Sequence, residues 1–275
     1  MIIASNTDYT DYLSCAEQLA DSLKYWHPEI PICLLTDQLI ENKKFDLVRA
    51  FPYGDTGQNS QWKLSNDWQA GVASPFRRTI KLEADMLLTS SISHWWHLFD
   101  KRDLVISTGA RNFYGQSADS RFYRRVFDEN HLPDVYNAIT YWRLSKLSQD
   151  FFRLIRNIFE NWEVFRTWLK FSDDLPTTDL IYAMAAHIIG PESVTLPDID
   201  FIKIVHMKKH IIPCHGSNWT RELVWEFDHN QLRINTIAQN GFFHYQTKKV
   251  FYFLHYQNQD EIYLLDQKIL RLQPC

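Results

Sequence analysis

Four cysteines are scattered through the 275 residues, at Cys15, Cys33, Cys214 and Cys275, and no two form a Cys-x-x-Cys pair. That spacing argues against a zinc site and against a disulfide framework. Long apolar runs are also lacking: the hydrophobic stretches are short and interrupted by charge, so no membrane span is expected. The chain opens directly on strand-like Ile2-Ile3-Ala4 with no basic leader or apolar signal region, so a cytoplasmic location is expected rather than secretion. The Asn218-Trp219-Thr220 sequon has no consequence there. No glycine-rich loop ending in Gly-Lys-Ser/Thr occurs, which disfavours P-loop phosphoryl transfer. Residues 2–8 contain neither glycine nor a basic side chain, which counts against a sugar-1-phosphate nucleotidyltransferase with its glycine-rich basic phosphate loop. The net charge of -4 gives no whole-protein attraction to a polyanion. Internal repeats, low-complexity tracts and linkers are absent as well.

What is present is a soluble-enzyme composition. Hydrophobic residues make up 45% of the chain, ample for a core, and 1–275 reads as one unit. Short apolar stretches at 2–4, 32–35, 79–82 and 104–107 alternate with helical patterns, which predicts a mixed, mainly parallel sheet with covering helices. A helix is expected from about residue 9 to 25, and Ser91 with Ser93 can start another that carries Trp95, Trp96 and Leu98. Residues 55–59 and 111–120 read as loops. Phe152, Ile155, Phe159 and Trp162 recur at three- and four-residue steps within a helical stretch at 145–168, so this aromatic stripe is core. A further helix opens at Pro176-Thr177-Thr178-Asp179 and stops near Gly190-Pro191, with either threonine able to cap it. Beyond Pro197 the pattern turns β-rich, with strands expected at 201–205, 232–236 and 250–255 and a closing helix at 261–272.

The most informative stretch is Thr79-Ile80-Lys81-Leu82-Glu83-Ala84-Asp85-Met86-Leu87-Leu88. In extended backbone Glu83 and Asp85, two residues apart, point to the same side. At the C-terminal edge of an α/β sheet, where ligands sit, two such carboxylates can hold a hard divalent cation against a diphosphate. Acid-x-acid triplets also serve as plain solvated strand ends, and the apolar flanks on both sides are what single this one out. Two histidines that follow apolar runs, His206 and His244, are candidate further ligands, with His206 preferred.

These features resemble a GT-A-type glycosyltransferase. Glu83-Ala84-Asp85 is similar to that family's D-x-D motif, 2–6 followed by a helix and Ile32-Cys33-Leu34-Leu35-Thr36-Asp37 to its opening nucleotide-binding unit, Tyr136-Asn137-Ala138-Ile139 to its mid-chain strand, and Thr178-Asp179 to the acidic position near its acceptor site. The resemblance implies a GT-A-like fold, with about 1–110 as the nucleotide-sugar half and 111–275 as the acceptor half. It implies a nucleoside-diphosphate sugar as donor, with a uridine diphosphate sugar the first choice, and Mn²⁺ or Mg²⁺ as cofactor. Asp85 would be a direct metal ligand, and Glu83 would bind through water or hold the donor ribose. Ala4, Asn6 and Asp37 would lie by the base, Lys63, Lys208 and Lys248 would approach the donor, and Asp179 would orient or deprotonate the acceptor hydroxyl.

Leu82-Glu83-Ala84-Asp85-Met86, the run from Tyr136 to Trp142, and Val205-His206-Met207-Lys208 further resemble bacteriophage sugar transferases that modify hydroxymethylated DNA bases. That narrower likeness implies DNA as acceptor and the host cytoplasm as location. The basic clusters Arg121, Arg124, Arg125 and Lys203, Lys208, Lys209 bear on the same question, although such runs are usually solvated faces. A surface glycan or small molecule is the alternative acceptor. A non-catalytic carbohydrate- or nucleic-acid-binding module is the alternative of another class.

Overall fold

The computed structural model describes residues 1–38, 40–57, 63–116, 124–172, 175–196, 204–206, 223–229 and 231–245. The expected strands at 250–255, the closing helix at 261–272, Lys208, Lys248 and the basic residues Arg121, Lys203 and Lys209 lie outside them.

A six-stranded sheet forms the centre. Its strands are β1 (Ile2–Ile3), β2 (Cys33–Thr36), β3 (Leu47–Ala50), β4 (Arg78–Glu83), β6 (Leu104–Thr108) and β7 (Val135–Arg143), in the spatial order β3-β2-β1-β4-β7-β6. The four strands from β3 to β4 run parallel and β7 runs antiparallel to both its neighbours. This is the mixed, mainly parallel arrangement expected from the sequence, with β3 as an addition. Side-chain alternation divides the core. Ile2, Leu34, Ile80, Leu82 and Ile139 bury against Ala16, Leu19 and Ala20 of α1 (Tyr12–Trp26). Cys33, Leu35, Leu104, Ile106 and Trp142 pack on the other face with Phe151, Phe152, Ile155, Ile181 and Tyr182.

That second face is covered by α5 (Lys146–Glu160) and α7 (Thr178–Ile189) and by a 3₁₀ helix over Leu64–Gln69 that runs into α2 (Ala70–Ala73). The long helical pattern at 145–168 resolves into α5 and α6 (Trp162–Leu169), parted at Asn161. Caps set the helix starts. Asp11 accepts from the Ser14 amide ahead of α1, Ser145 and Ser148 form a reciprocal box ahead of α5, and Thr177 rather than Thr178 accepts from the Leu180 amide ahead of α7, each worth about 1 kcal/mol. Helix α7 stops at Gly190, whose φ of 109° suits a residue without Cβ, and the short α8 (Pro191–Val194) follows. The remaining helices are α3 (Trp95–Phe99) and α4 (Arg125–Glu129). Ser91 and Ser93 hydrogen-bond each other rather than capping α3.

After Glu83 the chain bends through Ala84-Asp85 and enters β5 (Met86–Leu88) of a second sheet, ordered β5-β12-β8, with β8 at Ile204–His206 and β12 at Phe242–His244. A three-stranded antiparallel unit of β9 (Trp225–Asp228), β10 (Gln231–Ile234) and β11 (Ile237–Ala238) completes the β-rich C-terminal part. Among the described residues no helix is long and apolar enough to cross a membrane.

Candidate active site

The change of sheet at Ala84-Asp85 builds the site. Strand β12 pairs antiparallel with β5 so that His244 stands opposite Met86, the residue after Asp85, and the Tyr245 amide donates to the Asp85 carbonyl. This register carries the His244 ring to the two acids. Its Nε2 lies 3.1 Å from Asp85 Oδ2 and 3.5 Å from Glu83 Oε2. Among the described residues, Glu83, Asp85 and His244 form a group whose ligand atoms all fall within 4.8 Å of one another.

Two ligands at right angles about a cation ~2.1 Å away stand ~3 Å apart, so the His244 to Asp85 spacing suits adjacent ligands on one hard divalent ion. Two carboxylates and one imidazole also match the donor preference of manganese or magnesium better than that of a thiophilic metal. His206, the histidine preferred from sequence, lies one strand further away. It pairs in register with His244 across β8 and β12, and the two ring centroids are 5.2 Å apart. The Tyr136 hydroxyl lies between them and hydrogen-bonds Nδ1 of both rings. His244 therefore meets the acids with Nε2 and is held from behind through Nδ1, whereas His206 takes part through Tyr136.

The environment shapes the acids' protonation. Glu83 is pushed up to about 7 from 4.5, chiefly by burial of its carboxyl; His244 opposes the shift, and the charges of Asp85 and Asp179 add to it. The Tyr12 phenol is raised for the same reasons: burial first, then Asp85 and Glu83. A metal ion bound to this group would displace the proton Glu83 tends to hold.

A cleft of about 340 Å³ opens beside the cluster, lined by Ala4, Ser5, Lys63, Asp67, Lys81 and Tyr12 together with the two acids and His244. Ser5 is buried, and among the described residues its hydroxyl has no hydrogen-bond partner. Lys63 stands just before the 3₁₀ helix, not within a helix, and pairs with Asp55 and, at 3.6 Å, with Asp37. Those ion pairs bring Lys63 and Asp37 to one end of the site. The Oδ1 of Asn6 accepts from the Leu13 amide at 3.0 Å at the start of α1.

Asp179, in the first turn of α7, accepts from the Asn137 amide at 2.8 Å and from Arg124 at 3.2 Å, and it is close enough to act on Glu83 by charge. Arg124 is itself buried against Asp134 and Asp179, and Arg125 pairs with Glu129. Ser5, Tyr12, Asp67 and Lys81 are cleft residues that the sequence alone did not single out. The signal for Lys81 was in plain view, because it lies two positions before Glu83 on the same side of β4.

No protein-family model matches the chain, and no curated protein matches it in sequence. In structure it is similar to the galactosyltransferase LgtC in complex with donor and acceptor sugar analogues, with a TM-score of 0.50 and 12% identity over 89% of this chain and 86% of that one. Weaker likenesses are to the glycosyltransferase GlyE of Streptococcus pneumoniae, at TM-score 0.43 and 11% identity over 72% and 45% of the two chains, and to mouse xyloside xylosyltransferase 1, at 0.43 and 12% over 71% and 82%. The first of these comparisons supports the GT-A-like fold described above.

Proposed function

We propose that this chain is a glycosyltransferase that moves a sugar from a nucleoside-diphosphate sugar to a hydroxyl acceptor with the help of Mn²⁺ or Mg²⁺. The observation that carries the reading is the convergence of Glu83, Asp85 and His244 where β4 ends, beside a polar cleft. The fold is shared with a galactosyltransferase that binds donor and acceptor sugar analogues, which supports the same reading.

In this account Asp85, His244 and Glu83 are the residues that would hold the cation. A divalent ion held there would supply Lewis-acid stabilisation for a diphosphate leaving group. Lys63 exchanges its contact with Asp37 or Asp55 for a donor oxygen, and the buried Ser5 hydroxyl supplies a hydrogen bond to the same ligand. Both oxygens of Asp179 already accept hydrogen bonds, so its part is to orient a substrate hydroxyl.

For the acceptor, the sequence resemblance to phage sugar transferases favours a hydroxymethylated DNA base. Arg124 and Arg125 of the first basic cluster add nothing to it, because Arg124 is engaged with Asp134 and Asp179 and Arg125 with Glu129. The test is to incubate the protein with a panel of nucleotide sugars and Mn²⁺ and to measure released nucleoside diphosphate with and without hydroxymethylated DNA. Turnover that rises with the modified DNA supports that acceptor. Turnover indifferent to DNA but raised by an oligosaccharide moves the acceptor to a glycan, and no turnover with any donor overturns the transferase reading.

A further inference from the structure

Beneath the cleft lies a buried ion pair outside the metal-ligand group. Lys81 Nζ reaches Asp67 Oδ1 at 2.9 Å and Oδ2 at 2.7 Å, with side-chain exposures of 0% and 9%. The aromatic ring of Tyr182 faces the ammonium at 4.8 Å. Asp67 Oδ1 also accepts from the Tyr182 hydroxyl and, at 3.5 Å, from the Asn137 side chain. Oδ1 is thus crowded with donors from α7 and β7, whereas Lys81 is the donor found on Oδ2 among the described residues.

Such a pair is poor value for stability, because well-packed apolar residues of similar volume usually do as well or better. Its location gives it a use. Both residues line the cleft, on the same face of the sheet as Glu83, and the Lys81 charge is near enough to act on that carboxyl. Lys81 is carried on β4 and Asp67 on the 3₁₀ helix, and Tyr182 of α7 contacts both. An acceptor oxygen and an ammonium are therefore side by side in the lining of the cleft that also holds Glu83, Asp85 and His244. Of the two, Asp67 keeps some exposure and Lys81 none, so a sugar hydroxyl in the cleft can donate a hydrogen bond to the Asp67 carboxylate, whose orientation the buried Lys81 fixes.

We propose that the Asp67–Lys81 pair is a specificity determinant that reads a hydroxyl of the sugar carried by the donor, leaving the diphosphate to the Glu83, Asp85 and His244 group. This rests on the donor reading given above. It assigns to two residues 14 positions apart, both on the α5 and α7 face of the sheet, the choice of which sugar is retained in the cleft.

Titration calorimetry of the 275-residue chain with Mn²⁺, using UDP, UDP-glucose, UDP-galactose and UDP-xylose, tests it. Asp67→Asn is expected to weaken the best-bound UDP-sugar at least ~10-fold, as when a site built to bond a hydroxyl loses that contact, while UDP itself stays within about 2-fold. Equal weakening of UDP and the UDP-sugar, or no weakening of either, overturns the proposal and leaves the donor reading intact. Failure of the unsubstituted protein to bind UDP or any UDP-sugar rejects both.

Because Asp67→Asn removes the counter-charge of a buried ammonium and can impair folding, the unsubstituted protein supplies a second reading. The buried Lys81 ammonium protons, followed by ¹⁵N-edited NMR, are expected to shift with the best-bound UDP-sugar beyond the change caused by UDP. Identical Lys81 spectra in the two complexes overturn the proposal.

Discussion

His244 Nε2 stands 3.1 Å from Asp85 Oδ2, and the same ring's Nδ1 contacts the Tyr136 hydroxyl. One imidazole is thereby aimed at a carboxylate group and steadied from the opposite side, as metal-bound histidines usually are. His206 meets the Tyr136 hydroxyl through Nδ1 and, among the described residues, stands outside the group of Glu83, Asp85 and His244, so the two histidines are expected to separate on mutation. His244→Ala should reduce Mn²⁺ affinity by more than the ~10–100-fold that outer partners carry, whereas His206→Ala should stay within that range. Mn²⁺ titration followed by electron paramagnetic resonance gives both values, and a larger loss for His206→Ala would reverse the ligand assignment.

Removing the Tyr136 hydroxyl tests the support behind the ring. Tyr136→Phe keeps the buried aromatic body and deletes the hydrogen bonds to both Nδ1 atoms. Metal affinity is expected to fall ~10–100-fold, with melting temperature in EDTA little changed. A parallel fall in both quantities would make Tyr136 a purely structural residue.

Glu83 gives a pH dependence whose sign is fixed. Its folded pKa is raised, to about 7 from 4.5, mainly by burial, so the fold binds its proton more tightly than the unfolded chain does. Its contribution to stability is present in full below the unfolded value and is lost as pH rises through about 7. In EDTA the melting temperature should therefore decline across this window, and Glu83→Gln should flatten the decline. Mn²⁺ should stabilise most at the upper end, where the proton no longer competes, by ~2.7 kcal/mol at a hundred times its Kd. A Glu83→Gln profile that overlays the unsubstituted one would remove Glu83 as the source.

The packing of α2 on α5 offers a test independent of function. A Cβ added at Gly71 would lie 2.2 Å from Phe152 Cγ, and Phe152 is itself buried against Trp142. Gly71→Ala is expected to cost ~1–3 kcal/mol in urea unfolding through overpacking, despite the better helix propensity of alanine. Stabilisation by the substitution would mean that α2 is not seated on Phe152.

Strands β1, β2 and β6 were legible as short apolar runs between polar turns, and β4 as Ile80 and Leu82 alternating with Thr79 and Lys81. Strand β3 was not, since Leu47–Ala50 is an edge strand with mostly exposed side chains and leaves no burial pattern to read. The break at Asn161 passed unnoticed because Phe159 and Trp162 keep helical spacing across it. At the site, Glu83 and Asp85 could be picked out because a local triplet brings them together. His206 was preferred to His244 without a local signal to separate them, because each follows a short apolar run and the pairing of β12 with β5 decides which ring reaches the acids. Of the Asp67–Lys81–Tyr182 network only Lys81, two positions before Glu83, left a local signal, since Tyr182 meets Asp67 across 115 positions of sequence.

The central claim is that Glu83, Asp85 and His244 hold a divalent cation on which the donor diphosphate rests. Calorimetric titration of UDP into the protein with Mn²⁺ and then with EDTA, repeated on Asp85→Asn, tests it most directly. The account predicts that Mn²⁺ tightens UDP binding at least ~10-fold, or ~1.4 kcal/mol, in the unsubstituted chain and has no such effect in Asp85→Asn. UDP binding of equal strength with and without the metal, or a Mn²⁺ effect that survives loss of the Asp85 charge, would contradict it.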